Sequence, residues 1–376
     1  MRPVAAAGSR IESLTAEPLD VAMTEPFEIA GGSTTRVRNV LVKVRLRGGA
    51  VGYGEGAPLS AFNHDTQAAT LAALRRSAAK LVGEDCDRLR PLLARVEELL
   101  GPERGAARAA LGMALADAWG RRHRLPLRLL FGGAQDQVRS DVTVTIVPAR
   151  AARAAARRIV ALGVDTIKIK IGRDVEEDEA RVRAVASARR GLRLLLDANQ
   201  GYGPRQALQL LRRLRRAGIA PALFEQPAAK DDWRGLSDVH RFGRVPVAAD
   251  ESVANRQDAL RMAAKRCAQV VNVKLMKCGL LEAWDIALIC RASGLGLMAG
   301  GMIETSLAMG CAAHLAAGIG GFDFIDLDTP LWLARDPMTG VRFGAGGCYE
   351  LRKAKAGIGV RPGAPPRGAV ASNDTE

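Results

Sequence analysis

The sequence has few aromatic residues, few histidines and no cysteine motif. Aromatic residues make up 4% of the 376 residues, and the four histidines are His64, His123, His240 and His314. The six cysteines are scattered without CxxC spacing, so neither a zinc site nor a disulfide framework is indicated. We therefore expect free, buried thiols in a reducing compartment.

Long apolar runs are also missing. No run approaches the roughly 20 residues of a membrane-spanning helix, and the N-terminus lacks the apolar stretch of a secretory signal. Hydrophobic residues nevertheless make up 48% of the chain and charged residues 25%, which is ample material for a core. These features predict a cytoplasmic protein without a membrane partner.

Positive charge is in excess, with a formal net charge of +15. Much of it is arginine in helical segments, such as Arg212, Arg213, Arg215 and Arg216. Such runs are typical of solvated helix faces, and no helix-turn-helix or aromatic-interleaved basic motif accompanies them. We therefore expect no nucleic-acid partner, although a basic surface can steer an anionic substrate.

From Val142 onwards, short apolar runs alternate with alanine- and arginine-rich helical segments. The runs cover residues 142–147, 166–172, 193–199, 222–227, 245–250, 270–274, 295–301 and 322–328. Eight strands that alternate with helices predict a closed parallel barrel of the (β/α)7β TIM type over 136–330, rather than an open sheet.

The residues on either side of this barrel follow other patterns. Residues 1–135 combine two antiparallel strands, at 37–46 and 51–55, with helical segments, which predicts an α+β domain. Residues 331–356 are expected to pack back on that domain. The last segment, 357–376, is rich in glycine and proline and is expected to be a disordered tail.

Charged residues end or follow every predicted barrel strand from the second to the eighth. They are Lys168, Lys170, Asp197, Glu225, Asp250, Lys274, Glu304, Asp326 and Asp328. The carboxyl ends of parallel barrel strands form one rim, where active sites are built. A single carboxylate there can be a helix cap, and a single lysine can extend to solvent. Seven consecutive strands with charged ends favour a catalytic site.

Three of the acidic residues, Asp197, Glu225 and Asp250, come from adjacent strands and offer only oxygen ligands, which suit Mg²⁺ better than zinc.

Lysines on strands two and six flank these carboxylates from opposite sides. Near a dication the pKa of a lysine falls, so each can act as a base near neutral pH. The metal would stabilise an enolate. Two lysines fit racemisation or epimerisation, and also elimination or cycloisomerisation with one lysine idle.

The segments TIKIKIG, DANQGY, EQP, ADES, VNVKLMK and GGMIETS together resemble the muconate lactonizing enzyme branch of the enolase superfamily. GYGEGAP at 52–58 resembles the motif of its N-terminal capping domain, so the resemblance spans nearly the whole chain. One departure is Gly279–Leu280, where many relatives have two glycines. The resemblance implies one Mg²⁺ per subunit, replaceable by Mn²⁺, held by the three carboxylates.

The resemblance also assigns roles to individual residues. It implies that Lys170 and Lys274 are the two bases and that Lys168 adds positive charge beside the enolate. Asn199 and Glu251 are implied to support the metal ligands from behind.

The last strand carries Asp326 and Asp328 in IDLDTP, which resembles the dipeptide epimerases, where such a pair binds the free ammonium group of the substrate. Glu304, Met302 and Ile303 are further predicted substrate-binding residues. The two aspartates can instead be structural. A muconate-type cycloisomerase, an o-succinylbenzoate synthase or an N-acylamino acid racemase stays an alternative, and a non-catalytic barrel is a remote one.

In this superfamily the capping domain closes over the barrel mouth, and the matching loop here is EPFEIAGGSTTR, residues 25–36. Its apolar residues Phe27 and Ile29 favour a substrate whose C-terminal side chain is hydrophobic or cationic rather than acidic, since an unpaired buried carboxylate is costly. Alternatively, both residues only anchor the lid. We expect a dipeptide substrate and a homo-oligomer; the preferred dipeptide and the pathway stay open.

Overall fold

The computed structural model describes residues 7–59 and 65–363. The N-terminal part is an antiparallel sheet covered by helices. Its strands are β1 (Ile11–Ile29), β2 (Gly32–Leu46) and β3 (Val51–Gly56), and its helices are α1 (Gln67–Leu81), α2 (Leu89–Leu100), α3 (Gly105–His123) and the short α4 (Leu127–Leu130). The sequence reasoning missed β1 and the first five residues of β2. The expected lid loop at 25–36 is therefore largely the tip of a β-hairpin, in which Phe27 pairs with Thr34.

Strand β3 explains the alternating glycines of VGYGEG. Gly52, Gly54 and Gly56 face α3, and a Cβ atom added to Gly54 would lie 1.9 Å from the backbone oxygen of Ala110. Alanines recur along the facing side of α3 at Ala106, Ala110, Ala114 and Ala118. Because residues four apart share a helix face, the strand and helix backbones approach closely along this stripe.

The second part of the chain is an eight-stranded parallel sheet in the order β12-β11-β10-β9-β8-β7-β6-β5. The strands are β5 (Val142–Val144), β6 (Thr166–Lys170), β7 (Arg193–Asp197), β8 (Leu223–Glu225), β9 (Val247–Ala249), β10 (Val270–Lys274), β11 (Gly296–Gly300) and β12 (Phe324–Ile325). The two ends of the sheet meet where the Asp141 N–H donates to the Ile325 carbonyl (2.8 Å). Each predicted run contains one strand, so the predicted barrel is confirmed.

Helices connect these strands. They are α5 (Ala149–Ala161), α6 (Val175–Ala186), α7 (Pro204–Arg216), α8 (Trp233–Gly243), α9 (Arg256–Lys265), α10 (Leu275–Cys278), α11 (Leu280–Ala292) and α12 (Ser306–Ile319). Six apolar side chains pack inside the barrel: Leu195, Leu223, Ala248, Val270, Met298 and Phe324. Among residues 7–59 and 65–363, no helix is both long enough and apolar enough to cross a bilayer.

The C-terminal segment contacts both parts of the molecule. Strand β13 (Met338–Gly340) pairs with β15 (Val360–Pro362), and β14 (Cys348–Glu350) pairs with β4 (Gln137–Arg139) at the base of the barrel. The Ala334 N–H donates to the Ala22 carbonyl of β1 (2.9 Å).

The predicted disordered tail starts too early. Residues 357–363 are ordered, because Ile358 and Val360 are fully buried and the Ile358 N–H donates to Asp117 of α3 (2.7 Å). The rest of that prediction, 364–376, lies outside the described residues, as does His64.

Candidate active site

A cavity of about 340 Å³ lies at the carboxyl ends of the barrel strands, beneath the β1–β2 hairpin. Twelve of the predicted site residues line it: Phe27, Ile29, Lys168, Lys170, Asn199, Asp250, Glu251, Lys274, Met302, Ile303, Asp326 and Asp328. Two more, Asp197 and Glu225, lie directly beneath and contact Lys168. Residues from strands distant in sequence thus meet at one site.

Lys168 lies at the centre of this cluster and is only 1% exposed. Its Nζ atom is 2.6 Å from Asp326 Oδ2, 2.7 Å from Glu225 Oε2 and 3.0 Å from Asp197 Oδ2. Burial opposes its charge, but the surrounding carboxylates raise the pKa of Lys168 well above its ordinary value. Lys168 is therefore a fixed cation.

The other two predicted lysines face each other across the cavity. Lys170 ends β6 and Lys274 ends β10, and four steps around an eight-stranded barrel place these strands on opposite sides. Lys170 Nζ donates to Asp197 Oδ2 (2.6 Å) and to Asn199 Oδ1 (3.1 Å), and Lys274 Nζ donates to Asp250 Oδ2 (2.6 Å). A substrate carbon between them would have an ammonium or amine group on each face.

The carboxylates around Lys274 act on its pKa in the direction opposite to a dication. Burial opposes its positive charge, but the Asp250 and Glu225 carboxylates raise its pKa above the ordinary value. A lysine held charged is an acid rather than a base. A cation that neutralises the same carboxylates would remove this stabilisation and lower the pKa.

The three predicted metal ligands, Asp197, Glu225 and Asp250, are all buried, and the first two are register partners on β7 and β8. Burial and the negative charges of Asp197 and Asp250 raise the pKa of Glu225 to about 7. Although burial opposes their ionisation, neighbouring lysines hold the pKa values of Asp197 and Asp250 well below their usual range.

Within the described ranges, no three acidic, histidine or cysteine side chains are gathered as closely as the ligands of a bound metal ion. Lysine ammonium groups lie between the carboxylates instead. The donor set still fits Mg²⁺, because it consists of three oxygen donors from neighbouring strands with no soft ligand among them. The repulsion that raises the pKa of Glu225 is the kind that a divalent cation relieves.

Two further residues support these carboxylates, and both were missed as site residues. Asn272 Nδ2 donates to Glu225 Oε1 (2.7 Å). Lys277 Nζ donates to Asp250 Oδ1 (3.0 Å) and to the Asp250 carbonyl (2.7 Å). The segment VNVKLMK indicated Asn272, because it lies two residues before Lys274 and so shares its strand face. Lys277 reaches Asp250 because the short helix α10 turns it back against β9.

The predicted supporting residues Asn199 and Glu251 lie beside the carboxylates. Asn199 has a left-handed backbone (φ 41°), and its N–H donates to Asp197 Oδ1 (2.9 Å). Burial and the charge of Asp250 raise the pKa of Glu251 to about 8. Its Oε2 atom has no hydrogen-bond partner among the described residues. The asparagine therefore orients a carboxylate, and the glutamate adds unsatisfied oxygen to the cavity.

Asp326 and Asp328 reach the cavity from the last strand but have different partners. Asp326 is paired with Lys168, whereas Asp328 Oδ2 accepts from the Thr143 N–H (2.7 Å) and from Trp332 Nε1 (3.3 Å). Burial and the charge of Asp326 raise the pKa of Asp328 to about 6. Asp328 Oδ1 is buried and accepts no hydrogen bond from the described residues.

Glu304 is placed differently from the other predicted substrate-binding residues. It is 2% exposed and does not line the cavity, and its Oε1 atom accepts from the Met302 N–H (2.6 Å). Burial and the charge of Glu55 raise its pKa to about 8. Glu55, from GYGEGAP, itself accepts from the Thr305 N–H (3.0 Å) at the start of α12, which joins the two domains. Glu304 thus lies at the domain contact.

The hairpin side of the cavity is uncharged among the described residues, with Phe27, Ile29, Ser33 and Thr34 as its side chains. Phe27 packs edge-on against Trp332 with ring centroids 5.0 Å apart. Arg173 is paired with Glu28 (3.1 Å) and does not line the cavity. Among the described residues that line the cavity, the cations are the three lysines, and all three lie at its barrel end.

Comparison with known families gives two matches. Residues 11–132 match the mandelate racemase / muconate lactonizing enzyme N-terminal domain, and residues 150–364 match the enolase C-terminal domain-like family. Together they cover most of the chain, and they correspond to the sheet-and-helix domain and the barrel.

Individual relatives and solved structures agree with these family matches. The chain is 43% identical over 93% of its length, and 98% of the relative's, to an aromatic dipeptide epimerase of Herpetosiphon aurantiacus. It is 34% identical over 91% of its length, and 94% of the relative's, to an L-Lys-D/L-Arg epimerase of Methylococcus capsulatus. The structure of the Enterococcus faecalis dipeptide epimerase complexed with Mg and L-Leu-L-Tyr matches with a TM-score of 0.89 and 34% identity, covering 93% of this chain and 99% of that one. This chain belongs to the mandelate racemase and muconate lactonizing enzyme family of the enolase superfamily.

Proposed function

We propose that this protein is a Mg²⁺-dependent dipeptide epimerase, an isomerase that inverts the α-carbon of the C-terminal residue. The observation that carries the proposal is the facing pair Lys170 and Lys274, on opposite strands of one cavity whose rim also carries Asp326 and Asp328. The named activities of the relatives in Herpetosiphon and Methylococcus support it.

The lysines divide the proton transfer between them. One neutral amine removes the α-proton from one face, and the ammonium group opposite returns a proton to the other face, which inverts the centre. The roles exchange for the opposite stereoisomer. Lys168, which is held charged, stabilises the negative charge that develops on the substrate carboxylate.

Asp197, Glu225 and Asp250 would hold the metal. When bound there, Mg²⁺ supplies positive charge to the substrate carboxylate and so acidifies the adjacent carbon. Asn272, Lys277 and Asn199 keep the three carboxylates oriented through the hydrogen bonds described above.

Proton exchange in D₂O tests the two-lysine arrangement. Wild-type protein should incorporate deuterium at the α-carbon of both stereoisomers, whereas Lys170→Ala and Lys274→Ala should each lose epimerisation by at least about a thousandfold. Each variant should keep exchange only for the stereoisomer whose α-proton faces the remaining lysine. Lys265→Ala, which removes an exposed lysine at the end of α9, is the control. Epimerisation by either active-site variant would exclude the proposal.

The aspartate pair distinguishes a dipeptide substrate from the alternatives of the same family. Asp328 Oδ1 is buried and accepts no hydrogen bond from the described residues, which suits a substrate ammonium group. N-acetylation of the dipeptide should therefore lower kcat/KM by about a hundredfold or more. An enzyme that prefers the acetylated compound would be an N-acylamino acid racemase, and one that acts only on muconate would be a cycloisomerase.

The side chain on the inverted carbon is proposed to be apolar. The cavity wall beneath the hairpin is formed by Phe27, Ile29, Leu59, Met302 and Ile303. An acidic side chain buried there would lack a cation. We expect kcat/KM for L-Ala-L-Phe to exceed that for L-Ala-L-Glu by about a hundredfold, and L-Ala-L-Lys to fall between them. A preference for the glutamate dipeptide would contradict this assignment without affecting the epimerase proposal.

A further inference from the structure

Asp141, which immediately precedes β5, is a buried carboxyl group without a role in the reaction described so far. It is 2% exposed, and its backbone N–H donates to the Ile325 carbonyl (2.8 Å) where the barrel closes. Side chains alternate along a strand, so Asp141 points to the same side as Thr143, which lines the active-site cavity. The carboxyl group therefore lies inside the barrel, one layer below that cavity.

The groups around this carboxyl leave it without a donor. Neither oxygen accepts a hydrogen bond from any described residue. The Asp326 and Asp328 carboxylates of the last strand and the Lys168 ammonium group of β6 face it. Lys168 Nζ donates to Asp326 Oδ2 (2.6 Å) and lies 2.7 Å from Glu225 Oε2 and 3.0 Å from Asp197 Oδ2. The Asp141 oxygens accept no hydrogen bond from Lys168.

The cations below Asp141 are also engaged elsewhere. Asp141 borders a second cavity, at the amino ends of the barrel strands, together with Arg139, Arg193 and Asp323. The Arg193 guanidinium lies 4.4 Å from the centre of the Phe324 ring, and its Nη1 atom donates to the Asp323 carbonyl (3.3 Å). Arg139 Nη1 donates to the Gly346 carbonyl (3.4 Å).

An ionised carboxylate in these surroundings would be buried, without a donor, and next to two others of the same sign. Such a group is far more costly to bury than a neutral acid. Burial and the negative charge of Asp326 raise the pKa of Asp141 well above its ordinary value, in agreement with the geometry. A neutral carboxyl has one O–H donor, and the adjacent acceptor is the Asp326 carboxylate.

We propose that Asp141 is a positioning residue that holds a proton and donates a hydrogen bond to Asp326. This bond fixes the Asp326 carboxylate between Lys168 and the cavity, where its charge faces the substrate. The bond also keeps the negative charge of the interior lower by one than the count of carboxyl groups suggests.

A spectroscopic test does not depend on catalysis. At about pH 7 the infrared difference spectrum between wild type and Asp141→Asn should contain the carbonyl band of one protonated carboxyl group, because the substitution removes that group. The control is Asp231→Asn, which changes an exposed carboxylate and should give no such band. A spectrum that shows only a lost carboxylate band for Asp141→Asn would overturn the proposal.

A kinetic test rests on the proposed function and separates hydrogen bonding from packing. Asp141→Asn keeps a donor, so its KM for a free dipeptide should stay within about twofold of wild type, whereas Asp141→Leu should raise KM by about tenfold with kcat little changed. In wild type KM should rise at alkaline pH as Asp141 loses its proton, and in Asp141→Asn this rise should be absent. An equal rise in KM in both variants would mean that Asp141 only fills space.

If Asp141→Leu does not fold, the pH dependence of KM in Asp141→Asn tests the proposal: an alkaline rise like that of wild type would overturn it. If no dipeptide is epimerised, only the proposed function fails and the spectrum still tests the proton.

Discussion

His314 is a buried residue outside the active site whose contribution to stability depends on its protonation state. It is fully buried in α12, where Nδ1 accepts from the Arg128 N–H (3.0 Å) and Nε2 lies 3.0 Å from the Ile358 carbonyl. These partners require a neutral ring with its proton on Nε2. Burial lowers the pKa of His314 from 6.5 to about 4. The unfolded chain therefore binds this proton more readily than the native protein.

This difference predicts acid destabilisation. The stabilising contribution is complete above about pH 6.5 and declines as the pH falls through about 4, by about 3 kcal/mol in all. Urea unfolding at about pH 7.5 and about pH 5 should show a decrease of about 2 kcal/mol that is absent in His314→Gln. His123→Gln, a surface histidine beside Asp87, is the control and should keep the wild-type decrease. The same decrease in His314→Gln would mean that another group causes the loss of stability at low pH.

Strand β3 and helix α3 show the constraint at the scale of an element pair. The two backbones are close enough that only glycine fits on one side, and the facing alanines leave no side chain that can move aside. Because β3 also carries Glu55, whose carboxylate accepts from the Thr305 hydroxyl (2.5 Å), this packing positions the contact between the domains. A loosened β3 would therefore affect the barrel mouth as well as the N-terminal domain.

Gly54→Ala tests this packing. The added methyl group would meet the Ala110 carbonyl oxygen at 1.9 Å, so the free energy of unfolding should fall by about 3 kcal/mol or more. Gly31→Ala is the matched control, because nothing lies within 4 Å of its added Cβ atom, and it should change stability by less than about 0.5 kcal/mol. Denaturant unfolding followed by circular dichroism measures both. Equal stability of the two variants would show that the strand can shift without cost.

At the scale of the whole molecule, charge is distributed unevenly. The chain carries a net charge of +15, yet the barrel mouth gathers the carboxylates of Asp197, Glu225, Asp250, Glu251, Asp326 and Asp328. The basic surface attracts anions, whereas the interior of the site favours cations. A divalent cation bound to that interior would stabilise the folded state, because the unfolded chain does not assemble these carboxylates.

Thermal unfolding with and without Mg²⁺ tests this coupling. A concentration about a hundred times the Kd should add about 2.7 kcal/mol and raise Tm by several degrees. The reference sample is protein treated with a chelator, in NaCl of the same ionic strength as the Mg²⁺ sample. It is needed because salt alone screens repulsion within a chain of net charge +15. Glu225→Gln should abolish the Mg²⁺ effect, and Glu98→Gln, which changes an exposed carboxylate, should keep it. A Mg²⁺ effect retained in full by Glu225→Gln would exclude Glu225 as a ligand.

The barrel, the family and the rim of charged residues could all be predicted from the amino-acid sequence. Apolar runs that alternate with helices are a local signal, and parallel strands bring their carboxyl ends together whatever their exact lengths. The predicted residues from Lys168 to Asp328, apart from Glu304, could therefore be assigned to one site from the sequence.

The pairing of the charged groups could be read only from the folded molecule. In the fold, Glu304 lies at the domain contact and Lys277 donates to Asp250. Asp141 is buried without a donor, whereas Lys168 donates to Asp326. The lid loop is a hairpin, and residues 357–363 are ordered. These outcomes depend on distances between residues far apart in the chain, and the strength of a charge pair or the cost of burial is set by those distances.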